Sequence, residues 1–229
     1  MIKAIITDIE GTTSSIAFVK EILFPYARAN IAAFIAQEAD NPSVQSLLAD
    51  VRQHVGIELT QQALIAQLIA WIDEDQKITP LKALQGLIWA DGYRVGKLKG
   101  HIYADVIPQL HFWHAQGIQL YVYSSGSVFA QKLLFGHTEA GDLTPLFTGY
   151  FDTHIGNKRE QAAYRNIIAS IGLPASELLF LSDIVEELDA AQAAGMHTCC
   201  LCREAEQPAV KQHQLVDSFA KINLTQFVA

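Results

Sequence analysis

Of 229 residues, half are hydrophobic and only 17% are charged, so the chain can bury a sizeable core and is not a disordered segment. A formal net charge of −8 argues against nucleic acid and against an anionic membrane surface as partners, since both would repel it. No apolar run reaches the roughly 18 residues that a spanning helix needs. Three cysteines crowded at Cys199, Cys200 and Cys202 offer no disulfide framework, and the apolar run before Asp8 is too short for a signal peptide, so a cytoplasmic protein is expected.

The chain opens on Ile2-Lys3-Ala4-Ile5-Ile6-Thr7, an apolar run that reads as a buried strand, and it runs straight into Asp8-Ile9-Glu10-Gly11-Thr12-Thr13. From Ser15 to Lys99 only helical signals follow. Asn41-Pro42 and Thr79-Pro80 supply helix starts, and Thr60 can cap the periodic run from Ala63 to Ile72. Leu81, Leu84, Leu87 and Ile88 mark a further apolar stripe that fades before Gly92.

Beyond Ile102 the pattern alternates. A helix over about 104–115 precedes a strand at 118–123, and Ser124-Ser125-Gly126-Ser127 leads into a helix through Leu134. A short strand falls near 147–151, a helix over about 158–171, and a strand at Leu178-Leu179-Phe180-Leu181 ends in Ser182-Asp183. A helix to Gly195, a strand from Thr198 to Leu201 and a polar surface loop from Arg203 to Gln214 complete the reading. Strands alternating with helices imply an α/β fold, a parallel sheet covered by helices on both faces. The expected division is a core of 1–14 with 100–229, interrupted after the first strand by a helical insertion at 15–99.

Three strands thus end in polar groups: Asp8 and Glu10, then Ser124 and Ser125, then Asp183. Parallel strands bring their C-terminal tips to one edge, where ligands of open α/β sheets bind. Lys158, expected at a helix start after Gly156-Asn157, adds one cation. Carboxylates suit a hard divalent ion such as Mg2+, while hydroxyls, backbone N–H groups and a lysine suit phosphate oxygens. Two carboxylates on one strand tip can also divide the work of nucleophile and general acid/base.

Taken in order, Asp8-Ile9-Glu10-Gly11-Thr12-Thr13, Tyr123-Ser124-Ser125-Gly126-Ser127, Ile155-Gly156-Asn157-Lys158 and Leu181-Ser182-Asp183-Ile184-Val185-Glu186-Glu187-Leu188-Asp189 resemble the four motifs of the haloacid dehalogenase superfamily of phosphohydrolases. The helical insertion resembles that superfamily's cap. Glu10 stands where most of its phosphatases carry Asp, and with it the set is similar to the enolase-phosphatases of methionine salvage. The resemblance implies a Rossmann-like core and a phosphorylated small-molecule substrate, 2,3-diketo-5-methylthiopentyl-1-phosphate, enolised with the help of Mg2+ and then dephosphorylated to an acireductone. It implies Asp8 as nucleophile, forming an aspartyl-phosphate, and Glu10 as acid and base. It further implies Mg2+ held by Asp8, Asp183 and the Glu10 position, through side chain or carbonyl, and phosphate held by Ser124, Ser125 and Lys158. A monomer is expected, and the absence of heptads argues only against a coiled-coil assembly.

Each group also has a plainer reading: a turn pair for Asp8 and Glu10, a helix start for Ser124–Ser127, a solvated lysine, a cap at Asp183. Their joint occurrence at successive strand ends argues against these. Glu186, Glu187 and Asp189 read mainly as first-turn acids, with Glu187 a candidate outer support for the metal. His111 and His114 lack a third ligand and read as packing residues; the cysteines read as small apolar core residues. The rival functions are another small-ester phosphatase of the same superfamily, a metal-independent dehalogenase, and a non-catalytic phosphometabolite-binding protein.

Overall fold

The structure is a computed structural model that describes residues 1–203, 210 and 212–227. The chain divides into two compact units, Met1–Ile16 with Gly100–Ala229, and Ala17–Lys99. Each has its own hydrophobic core.

The first unit is built on a six-stranded sheet. Its strands are β1 (Ala4–Thr7), β2 (Gln119–Tyr123), β3 (Gly149–Phe151), β4 (Leu178–Ser182), β5 (His197–Leu201) and β6 (Gln214–Val216), in the order β3-β2-β1-β4-β5-β6. All pairings are parallel. The helices are α5 (Val106–Ala115), α6 (Val128–Gly136), α7 (Gln161–Ile171) and α8 (Val185–Ala193). β1 is buried along its whole length, as its unbroken Ala-Ile-Ile run demands of a central strand covered on both faces. On one face Ala4, Ile6, Tyr123 and Phe180 pack with Tyr164, Ile167, Leu188 and Ala191 from α7 and α8. Outside this cluster Trp113 of α5 lies 5.6 Å from the Phe219 ring.

Register decides what this sheet presents. Thr7 pairs with Val122 on one side and Leu181 on the other, so Asp8, the end of β2 and Ser182-Asp183 stand at one level. The chain reverses direction across β1, running outward first to β2 and β3 and then to β4 and β5, which is where an open α/β sheet leaves a crevice at its strand tips.

The second unit contains α1 (Phe24–Gln37), α2 (Pro42–Val55), α3 (Gln61–Asp73) and α4 (Thr79–Arg94), preceded by a π-helical turn at Phe18–Leu23 that periodicity did not announce. Asn41 caps α2 by accepting from Ser43 N–H, and Thr60 caps α3 by accepting from Ala63 N–H, as read from the sequence. Ile31, Ile35, Leu48, Leu64, Leu68 and Leu84 join a core with no strand in it. No described helix is long and apolar enough to cross a membrane.

Two expectations change, and one is not tested. Lys158 does not start a helix: Asn157 accepts the Arg159 N–H through its side chain and the Glu160 N–H through its carbonyl, a turn that delays α7 until Gln161. The polar loop expected over 203–214 falls largely outside the described residues. At its far end Gln214–Val216 forms β6, an edge strand too short to carry a period-2 signal.

Candidate active site

Asp8 leaves β1 with its backbone tightly held. Its N–H donates to the Leu181 carbonyl at 2.9 Å, and its own carbonyl accepts the hydroxyls of Thr7 and Thr13 at 3.0 and 3.1 Å. Only 3% of the residue is exposed, so its carboxyl needs a partner. That partner is Lys158, whose Nζ lies 2.6 Å from Asp8 Oδ1, a close ion pair. The same Nζ lies 2.7 Å from Glu187 Oε2.

Lys158 is placed by aromatic groups as much as by its turn. Tyr164 donates its hydroxyl to the Lys158 carbonyl at 2.7 Å, Tyr123 donates to the Gly156 carbonyl at 3.0 Å, and the ammonium stands 5.6 Å from the Tyr123 ring centroid. Burial works against its charged form, but the charges of Asp8 and Glu187 outweigh it and hold the ammonium more firmly protonated than an ordinary lysine.

Glu10 turns its carboxylate toward Ser124, whose hydroxyl donates to Oε2 at 3.4 Å. Ser124 Oγ in turn accepts the Gly126 N–H at 3.0 Å, shaping the turn between β2 and α6. Gln131 of α6 braces that turn from below, donating 2.8 Å bonds to the Gly126 and Phe151 carbonyls, and Asp152 accepts the Val128 N–H at 3.1 Å. Ser125 is exposed at the tip of the turn.

Asp183 follows β4, with Thr12 donating to its Oδ1 at 3.4 Å. Gly11 lies against it: a Cβ there would stand 2.2 Å from Asp183 Oδ2, and Gly11 has φ of +77°, so only glycine serves. Ser182 donates to Glu187 Oε2 at 2.9 Å and accepts the Ile184 N–H at 3.1 Å.

Burial, and after it the charge of Asp8, raises the affinity of the other acids for protons. Glu10 is pushed upward, Asp183 to about 6 and Glu187 to about 7. Four carboxyl groups against one ammonium leave a surplus of negative charge that a divalent cation would balance. Among the described residues no three His, Cys, Asp or Glu side chains form a metal cage by themselves. Mg2+ does not ask for one, since it binds through one or two carboxylates and completes its shell with water and substrate phosphate. An all-oxygen donor set and a glycine-lined approach to Asp183 fit that ion.

The residues read from the sequence as Asp8, Glu10, Ser124, Lys158 and Asp183 therefore meet in one network, with Ser125 on the adjoining turn. Glu187 is a first-turn acid of α8, as the sequence suggests, and it is also buried against Lys158 and Ser182. Gln131 and Asp152 were missed, and their helical and loop positions carry no motif that would mark them. His111 and His114 are exposed on α5, away from this network. The cysteines are buried and form no disulfide, as small core residues.

The haloacid dehalogenase-like hydrolase family matches residues 2–195. Enolase-phosphatase E1 of Methylococcus capsulatus is 59% identical over 218 residues, covering 95% of this chain and 96% of that protein. The chain belongs to this family. Enolase-phosphatase E1 of Thioalkalivibrio sulfidiphilus is 54% identical, covering 98% of this chain and all of its own length. Among solved structures, the UTR4 protein of Saccharomyces cerevisiae superposes with a TM-score of 0.82 at 36% identity, covering 97% of this chain and 100% of its own. CbbY from Rhodobacter sphaeroides, solved with phosphate, shares the fold at a TM-score of 0.58 and 18% identity. An enolase-phosphatase of the haloacid dehalogenase type is thus a hydrolase, and the dehalogenase and binding-protein readings fall away.

Proposed function

We propose that this enzyme acts on 2,3-diketo-5-methylthiopentyl-1-phosphate, enolising the diketone and then transferring its phosphoryl group to Asp8 before hydrolysis releases the acireductone 1,2-dihydroxy-3-keto-5-methylthiopentene and phosphate. The observation that carries the reading is the Asp8–Lys158–Glu187 ion network at the tips of β1 and β4, with Glu10 and Ser124 beside it, in a chain 54–59% identical to enolase-phosphatases.

Asp8 is the nucleophile, presented by a backbone that three hydrogen bonds hold in place. Glu10, raised toward its protonated form, protonates the leaving oxygen; once ionised, it takes the proton of the attacking water. Ser124, Ser125 and Lys158 hold the phosphoryl oxygens, and Lys158 neutralises charge that develops on them. Asp8, Asp183 and the Glu10 position would hold Mg2+. When bound, the ion supplies further charge neutralisation at the phosphoryl group and Lewis-acid polarisation of a carbonyl. The surplus of carboxylates and the close approach of Gly11 to Asp183 support that assignment. The enzyme is taken to work as a monomer in the cytoplasm; the absence of a disulfide among Cys199, Cys200 and Cys202 fits a reducing compartment.

The test gives purified protein the diketo phosphate with Mg2+ and follows enol absorbance and free phosphate together. Enol first and phosphate after, both abolished by EDTA, is the expected result. Phosphate without an enol would make it an ordinary phosphatase of another ester, and full activity in EDTA would remove the metal from the scheme.

A further inference from the structure

Arg203 lies just beyond β5, outside all four motifs, and its side chain is only 9% exposed. Its Nε and Nη2 both donate to one acceptor, the Thr12 carbonyl, at 3.1 and 2.9 Å. Its Nη1 meets the two carboxylate oxygens of Asp105 at 3.0 and 2.9 Å and the Asp217 carbonyl at 3.2 Å. The guanidinium stacks 4.4 Å from the Tyr103 ring centroid and stands 5.4 Å from that of Phe219. Asp105 is itself anchored, accepting the Phe219 N–H at 2.7 Å and the Ser218 hydroxyl at 3.0 Å.

The far end of this assembly reaches the reaction centre. Thr12 is fully buried in the turn that follows Glu10 and Gly11, and its hydroxyl donates to Asp183 Oδ1. One residue therefore faces the clamp with its carbonyl and Asp183 with its side chain. We infer that Arg203 is a positioning residue for the reaction: by gripping the Thr12 carbonyl with two donors it fixes the turn after β1, and through the Thr12 hydroxyl it sets the orientation of the Asp183 carboxylate. Arginine suits the task because its planar fork places two N–H groups on one carbonyl and a third on a carboxylate, whereas a lysine offers a single point charge. The inference rests on the reading of Asp183 as a Mg2+ ligand, since outer contacts of this kind tune an ion's affinity by orienting its ligands.

The experiment measures Mg2+ binding by calorimetry on EDTA-stripped, dialysed protein, beside the thermal midpoint and kcat and KM, for the wild type, Arg203→Lys, Thr12→Val and the double variant. Positioning predicts that Arg203→Lys weakens Mg2+ by about 10-fold and lowers kcat by a similar factor with little change in KM. It also predicts that the double variant is scarcely worse than the weaker single one, because both changes break one chain of contacts. A lowered midpoint with Mg2+ affinity and kcat unchanged would make the Arg203–Asp105 pair structural only and overturn the inference, as would full additivity. Should Arg203→Lys not fold, Asp105→Asn loosens the clamp from its other side and is read in the same way. Wild-type protein that binds no Mg2+ would sink the metal reading and this inference with it; wild type that binds beside an unaltered variant sinks this inference alone.

Discussion

Lys158 sits between two carboxylates in a site that excludes most water, and its charge is what makes ionised Asp8 and Glu187 tolerable there. Replacing Asp8 by Asn removes the proposed nucleophile while keeping the shape, and phosphate release should fall by more than about 10³-fold in a steady-state assay. Glu187 carries a pH signature. Its ordinary value of 4.5 rises to about 7 in the folded, metal-free protein, and Asp183 moves from 3.8 to about 6, each through burial first and Asp8 second. A raised carboxyl binds its proton more tightly when folded, so metal-free stability should fall as pH climbs from about 4.5 to 7 and level off above that. Lys158, raised above an already high value, contributes evenly across that window. Thermal midpoints of EDTA-treated protein from pH 4.5 to 8 test this, and Glu187→Gln should flatten the decline. Asp8 and Lys158 stand out in the sequence as candidate site residues because a charge ending an apolar run, or standing alone after Gly-Asn, is conspicuous. Their direct ion pair does not, because the pairing spans 150 positions of sequence and depends on strand register.

Among the elements, the turn after β1 carries the greatest constraint. Gly11 needs a positive φ and lies against Asp183, so Gly11→Ala should destabilise the protein by about 2 kcal/mol or more, from left-handed strain together with the clash. Denaturant unfolding measures the loss, and Mg2+ binding should weaken in the same variant because Asp183 must move. The helix starts at Asn41 and Thr60 could be read directly, since capping is local chemistry. The start of α7 could not. Both a helix beginning at Lys158 and a turn through Asn157 are compatible with the residues, and the turn prevails because Tyr164 holds the Lys158 carbonyl from the third dimension. The π-helical turn at Phe18–Leu23 likewise has no periodic signature in six residues.

At the scale of the whole molecule, two separate cores imply separable stability. Leu68 is fully buried among the helices of the second unit, and Leu68→Ala should cost about 2–5 kcal/mol there. Hydrogen exchange should show protection falling within Ala17–Lys99 while β1, β2 and β4 keep theirs; a uniform loss would mean that the two units unfold as one. What the sequence by itself determined was the alternation of strands and helices, hence the parallel α/β core, and the identity of the groups at the strand tips, because hydrophobic periodicity and abrupt polar endings are local properties. Only the tertiary structure decided which of those groups touch: the Asp8–Lys158–Glu187 network, the Gln131 brace and the Arg203 clamp on Thr12 arise where register and loop closure bring distant residues within hydrogen-bonding reach, and no local pattern encodes such meetings.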